Sequence, residues 1–361
     1  MTPLDSITGS LLGTALGDAL GLPYEKVSRD RAPRLLGPPD RFRFCFGRGM
    51  TSDDTEHSCF VLESLLASQG DEVAFTREMA KRLRVWLLLV PGGTGRATAQ
   101  ACLKLLLGYP PAKSGVPSAG NGPAMRAAVL GAALDDLALL RRLVHASSRI
   151  THTHPKAEAG AWVVALAARF ARSHEQPDPQ AFLDHLQAES AELAASDPGA
   201  AESLALIEGT VASVQAGQST LDFALERAGP RGVSGFVDHT VPVAIHAWLT
   251  HPRDYRTAIT QTILCGGDAD TTAAIAGGVI GAGVGRAGLP AEWLAGMGDW
   301  PRTIGWMERL ATAVAAPPIG KSLTDRPGLP PRLPIWGLIP RNALFLFVVL
   351  FHGFRRMLPP Y

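Results

Sequence analysis

Glycines recur at four-residue spacing in two distant stretches, Gly9, Gly13, Gly17 and Gly21 near the start and Gly277, Gly281 and Gly285 far downstream. On an α-helix this spacing runs along one face. Each interior glycine costs about 1 kcal/mol relative to alanine, which is substantial against a total stability of roughly 5–15 kcal/mol. A flexible loop fits poorly, because Leu11, Leu12, Leu16, Ile275, Val279 and Ile280 stand between the glycines. Close approach by a neighbouring helix backbone would offset the cost. The expectation is that a helix over 5–21 and one over 271–284 pack against each other in the middle of the protein.

Helical patterns fill the rest, at about 53–68, 72–89, 95–108, 123–133, 135–148, 156–173, 178–194, 199–216, 239–250, 254–264 and 301–315. Residues 26–50 are rich in Arg, Pro and Gly and read as an irregular crossing loop. No run alternates as β-structure does. The expected fold is all-α: one compact multi-helix domain over 1–316, with the helices crossing at steep angles. A Pro-rich C-terminal extension over 317–361, ending in an apolar helix, completes the chain. At 361 residues, 46% hydrophobic, the chain can bury a sizeable core. A net charge of +1 argues against bulk electrostatic binding to nucleic acid. Cys45, Cys59, Cys102 and Cys265 form no C-x-x-C pair, which points away from zinc and disulfides and towards a cytoplasmic setting. Asp5 and Asp18 interrupt any secretory-signal pattern at the N-terminus.

The extension carries Pro317, Pro318, Pro327, Pro330, Pro331, Pro334 and Pro340 before the apolar run Ala343 to Phe351. Extended back to Ile335, that run meets Pro340 and Arg341 before reaching the roughly 18 apolar residues of a membrane span. A buried helix is therefore expected. From Arg332 onward there are four arginines and no acid. Docking on the body is the preferred reading, and contact with an anionic membrane surface is the alternative.

Chemistry concentrates in two acid-and-hydroxyl stretches. Gly266-Gly267-Asp268-Ala269-Asp270-Thr271-Thr272 runs into an Ala- and Gly-rich apolar segment, and Gly49-Met50-Thr51-Ser52-Asp53-Asp54-Thr55-Glu56 precedes the apolar run from Cys59. Such residues cap helix starts, and they also offer the hard oxygens that Mg²⁺, Mn²⁺ or Ca²⁺ require. Taken alone, either stretch reads as a cap; together they suggest a shared metal site. Ser118-Ala119-Gly120-Asn121-Gly122-Pro123-Ala124-Met125-Arg126 reads as a loop opening a helix, where bare N–H groups bind phosphate readily. Thr151-His152-Thr153-His154 precedes another helix, and hydrogen bonding suits its histidines better than metal ligation. Glu25 on its own is an ordinary surface carboxylate.

In this order the chain resembles the ADP-ribosylglycohydrolase family, of the dinitrogenase-reductase-activating glycohydrolase type. The matching residues are Gly17-Asp18-Ala19-Leu20-Gly21 with Glu25, Ser52-Asp53-Asp54-Thr55, Gly120 to Arg126, Thr151-His152, and Gly266 to Thr271, over roughly residues 5–300. The resemblance implies an all-α fold with two divalent ions, Mg²⁺ or Mn²⁺, at the bottom of a cleft. It implies Ser52, Asp53, Asp54, Asp268, Asp270 and Thr271 as metal ligands, with Glu25, Asp54 and Asp268 as the catalytic carboxylates. Ser118, Gly120, Asn121, Gly122 and His152 would bind ADP-ribose. Ser52 stands where Thr is usual, and Gly92-Gly93-Thr94-Gly95 lacks an Asp that some members carry there. The implied reaction is hydrolysis of the glycosidic bond between ADP-ribose and a protein side chain or small-molecule acceptor. An ADP-ribose-binding protein without turnover is the alternative.

Overall fold

The computed structural model describes residues 1–44, 46–316 and 329–355. Of the residues singled out above, Cys45, Pro317, Pro318, Pro327 and Arg356 lie outside them. Among the described residues β-structure is confined to isolated bridges, and helices make up the body. The fold is all-α.

Helix α1 (Pro3–Gly21) starts on a Thr2 cap whose hydroxyl accepts from the Asp5 N–H. The crossing loop holds one short helix, α2 (Ala32–Leu36), where an irregular segment was expected. Next come α3 (Asp53–Ser68), α4 (Glu72–Leu88) and α5 (Arg96–Leu106). The helix expected over 123–133 is split: a 3-10 turn over Ala124–Arg126 precedes α6 (Ala128–Ala133). The loop supplies that first turn itself, the Met125 N–H bonding back to the Asn121 carbonyl at 3.0 Å. Then follow α7 (Leu137–Arg149), α8 (Pro155–Ser173), α9 (Pro179–Ser196) and α10 (Pro198–Gln215). The expected pattern had no helix at α11 (Thr220–Ala228). Behind it run α12 (Val237–Thr250), α13 (Tyr255–Leu264), α14 (Ala269–Val284), the short α15 (Ala291–Gly296) and α16 (Ile304–Ala315).

The two glycine-striped helices, α1 and α14, lie antiparallel at backbone contact. A Cβ on Gly9 would sit 2.1 Å from the Gly281 carbonyl oxygen, one on Gly13 2.2 Å from that of Gly277, and one on Gly17 2.1 Å from that of Ala273. At Gly21 the nearest atom is the Asp270 Cα, at 2.5 Å. The register thus steps by four residues along both helices. The rest of the fold surrounds this pair: α14 also touches α8, α12 and α13, and α1 touches α3, α6 and α16.

The last helix, α17 (Leu338–Arg355), is longer than the nine-residue apolar run, because it continues through Pro340 and Arg341. Proline is tolerated there since first-turn N–H groups have no intrahelical acceptor. Only one face is buried, through Leu338, Arg341, Asn342, Phe345 and His352. The Arg341 guanidinium donates to both oxygens of Asp299, at 2.9 and 2.7 Å, and to the Thr51 carbonyl at 2.5 Å. Asn342 donates to the Leu89 carbonyl at 2.8 Å. Phe345 lies over Gly92, where an added Cβ would come within 2.6 Å of its ring.

Two outcomes are expected. Gly13→Ala should destabilise the protein, because the overpacking cost of about 1–3 kcal/mol exceeds the roughly 1 kcal/mol helix advantage of alanine; a thermal melt that rises instead would contradict the packing. Arg341→Ala should cost about 3–5 kcal/mol, the usual penalty for leaving a buried partner uncompensated, read by denaturant unfolding. Burial alone would raise the Asp299 carboxyl, but Arg341 and the Thr51 donors outweigh it and hold it below the usual carboxylate range. A depressed pKa stabilises above the unfolded value and is lost as pH falls through the folded one. The difference between wild type and variant should therefore be largest near neutral pH and shrink as acid protonates the unpaired Asp299 of the variant.

Candidate metal centre and cleft

The end of α1 and the start of α14 meet at one point because the helices are antiparallel. Past α1 the chain turns into residues 25–27, which bond to the glycine pair ahead of α14: the Lys26 N–H donates to the Gly267 carbonyl at 2.6 Å, and the Gly267 N–H to Val27 at 3.2 Å. The Asp268 N–H donates to the Val233 carbonyl at 2.6 Å, which ties in the loop ahead of α12. Gly267 has φ +78°, and a Cβ there would stand 2.0 Å from the Val233 oxygen, so only glycine fits. The result brings Glu25, Asp268 and Asp270 together, with ligand oxygens within 4.8 Å of one another.

The start of α3 faces them. Ser52 caps α3, its hydroxyl accepting from the Asp54 N–H and donating to Asp54 Oδ2 at 3.0 Å. Thr271 donates to the same Asp54 oxygen at 3.3 Å. Asp54 thus bridges the two helix starts, 217 residues apart in sequence. From α1, Asp18 accepts from the Ser52 and Thr55 N–H groups at 2.8 and 3.2 Å and from the Thr55 hydroxyl at 2.5 Å.

A cleft of roughly 830 Å³ opens above, lined by Glu25, Asp53, Asp268, Asp270 and Thr271 on its floor. Ser118, Gly120, Asn121, Gly122 and His152 line one wall. Asn121 donates to Asp268 Oδ2 at 2.6 Å and to the Thr240 hydroxyl at 3.1 Å. His152 Nδ1 lies 2.9 Å from the Thr151 hydroxyl. Burial, and then the Arg126 guanidinium, push the His152 imidazole down to about 3, so it is neutral at physiological pH and faces the cleft as a hydrogen-bonding group. Ser52 and Asp54 lie beneath the floor and do not line the cleft. The Gly93 loop forms a further edge, a Cβ there reaching 3.6 Å from Asp53 Oδ1.

The floor is electrostatically unfavourable as protein alone. Burial, then the neighbouring carboxylates, push Asp53, Asp54 and Asp270 well above the usual range, and burial raises Asp268 and lifts Asp18 to about 6. Asp54 Oδ1 and Asp270 Oδ1 are buried without a hydrogen-bond donor among the described residues. Crowded anionic oxygens with unused lone pairs suit a small, hard cation, and the donor set fits Mg²⁺ or Mn²⁺ better than a soft metal.

Three features of the site carry little signal in the sequence. Asp18 was part of the matching Gly17-to-Gly21 motif but had no role; its signal was an acid inside an apolar, glycine-striped helix. The loop Arg231-Gly232-Val233-Ser234-Gly235 lines the cleft, and only its glycines hinted at a tight turn. Asp299, which accepts from the Thr51 N–H at 3.0 Å, gave no local signal.

Comparison with known proteins gives the chain's family. The chain is similar to the ADP-ribosylhydrolase ARH3 of Gallus gallus, 28% identical over 325 residues that cover 79% of this chain and 87% of that protein. It is also similar to the ADP-ribosyl-dinitrogen reductase glycohydrolase of Rhodospirillum rubrum, 28% identical over 298 residues covering 80% and 89%. A solved chain described as an ADP-ribosylglycohydrolase-related protein complex superposes with a TM-score of 0.59 at 26% identity, over 87% of this chain and 98% of that one. The family model for ADP-ribosylglycohydrolase matches residues 1–321. With this match over most of its length, the chain belongs to the ADP-ribosylglycohydrolase family.

Proposed function

We propose that this protein is a metal-dependent hydrolase that cleaves the glycosidic bond between ADP-ribose and a modified protein side chain or small-molecule acceptor. The observation that carries the reading is Asp54, hydrogen-bonded to Thr271 beneath a cleft whose floor is carboxylate. Ser52, Asp53 and Asp54 from α3, with Asp268, Asp270 and Thr271 from α14, would hold two Mg²⁺ or Mn²⁺ ions. When bound, such ions orient ribose hydroxyls and lower the pKa of a water. Residues 1–316 form the catalytic body in this reading, and 317–361 an accessory extension.

The chain's own groups do the rest. Glu25 reaches the floor beside Asp268 and Asp270 and is positioned to take a proton from the attacking water. Asp268 would supply negative charge at the cleft surface, and Asp54 from beneath the floor, towards the anomeric carbon where positive charge builds as the bond to the acceptor lengthens. The Gly120-Asn121-Gly122 loop and the neutral His152 offer hydrogen bonds to the pyrophosphate. The second reading, an ADP-ribose binder without turnover, draws support from Gly92-Gly93-Thr94-Gly95, a loop at the cleft edge that carries no carboxylate of its own.

Purified protein with ADP-ribosylated substrates and Mn²⁺ or Mg²⁺ should release free ADP-ribose, and a chelator should abolish release. Binding of ADP-ribose in a calorimeter without any release would favour the second reading. Independently of turnover, Mn²⁺ at about a hundred times its Kd should stabilise the wild type by about 2.7 kcal/mol, seen as a rise in Tm; Asp54→Asn with Asp270→Asn should lose that rise. Glu25→Gln should keep it yet lower kcat by about 10²–10⁴-fold.

A further inference from the structure

Helix α17 turns its second face to solvent, and that face is apolar. Trp336, just ahead of it, and Ile339, Phe347, Leu350, Phe351 and Phe354 along it are each 59–72% exposed. The Phe347 and Phe351 rings stack on each other at 6.3 Å. Contiguous exposed apolar surface of this kind marks an interaction site.

Charge indicates what it meets. From Arg332 to the end of the chain there is no acid, and although Arg341 is taken up by Asp299 on the inner face, exposed Arg332 and Arg355 flank the apolar run in sequence. The neighbouring loop, whose Phe44 packs edge-on against His352 at 4.8 Å, adds an exposed Phe46 and Arg48. Aromatic and aliphatic side chains bracketed by cations are the composition of a helix that lies in the headgroup region of an anionic bilayer. A second copy of this chain fits less well, since a two-fold pairing would set one basic face on another with no acid to answer it.

By length and hydropathy alone, the 21-residue segment Ile335–Arg355, which holds an 18-residue stretch of mean hydropathy 1.6, could cross a membrane. Crossing would strip Arg341 from Asp299 and carry the guanidinium into hydrocarbon, whereas lying flat keeps every inner-face bond. We propose that the outer face of α17 is a membrane-interface surface that seats the folded protein on an anionic lipid bilayer, with the helix in the plane of the headgroups.

The test is co-sedimentation of the full-length protein with vesicles of phosphatidylcholine alone or with about one-third phosphatidylserine, at low and high salt. The expected result is at least about tenfold tighter apparent binding to the anionic vesicles, weakened by salt. The pair Phe347→Ser and Phe351→Ser, both at exposed positions, should abolish binding while the melting curve stays as in the wild type. Absence of vesicle binding, equal binding to both compositions, or a double variant that binds like the wild type would each overturn the proposal. So would a light-scattering mass of a dimer that the double variant converts to a monomer without any vesicle binding, which would assign the face to a second copy.

Discussion

Backbone contact between α1 and α14 governs everything else in this molecule. Glycine at four successive turns lets the carbonyls of one helix rest where the side chains of the other would be. Such packing tolerates no sliding: any shift off the four-residue step drives Leu, Ile or Val side chains into backbone. Because the pair is antiparallel, the locked register also sets where α1 ends relative to where α14 begins. Glu25 and the Asp268–Asp270 turn meet for that reason, and the carboxylate cluster sits at one end of the pair.

The site is held in an arrangement that its own charges oppose. Five buried or half-buried aspartates would repel one another apart in a looser scaffold. Here Asp18 is anchored inside α1 and grips the first turn of α3 through three donors, while the helix starts add favourable dipoles of about 0.3–1 kcal/mol each. That term is small beside burial of carboxylates, so the rigidity comes from packing. Stability given up at a functional site in this way is common in enzymes.

The extension beyond the family match is coupled to the same turn. Arg341 donates to the Thr51 carbonyl, one residue before Ser52, and Phe345 lies against the Gly92 end of the loop that edges the cleft. The inner face of α17 thus abuts the turn ahead of α3 and the loop that edges the cleft, while its outer face remains apolar and exposed. In the sequence, Pro340 and Arg341 interrupt the apolar run. In the fold, Pro340 falls in a helix's first turn, and Arg341 finds an acid 42 residues away.

Much of the architecture was legible in the chain itself. The glycine spacing announced a close helix pair, the 3.6-residue periodicity announced the helices, and two Gly-acid-hydroxyl runs announced the floor of the site, because each of these is a local pattern. Asp18, Asp299 and the Arg231–Gly235 loop gave no comparable sign, since their importance depends on partners tens or hundreds of residues distant. Local sequence determined which segments are helical and which helix starts carry carboxylates and hydroxyls. Only the tertiary structure decided which of those oxygens share one cavity, because that depends on an antiparallel register set by carbonyl-to-glycine contact between segments some 260 residues apart.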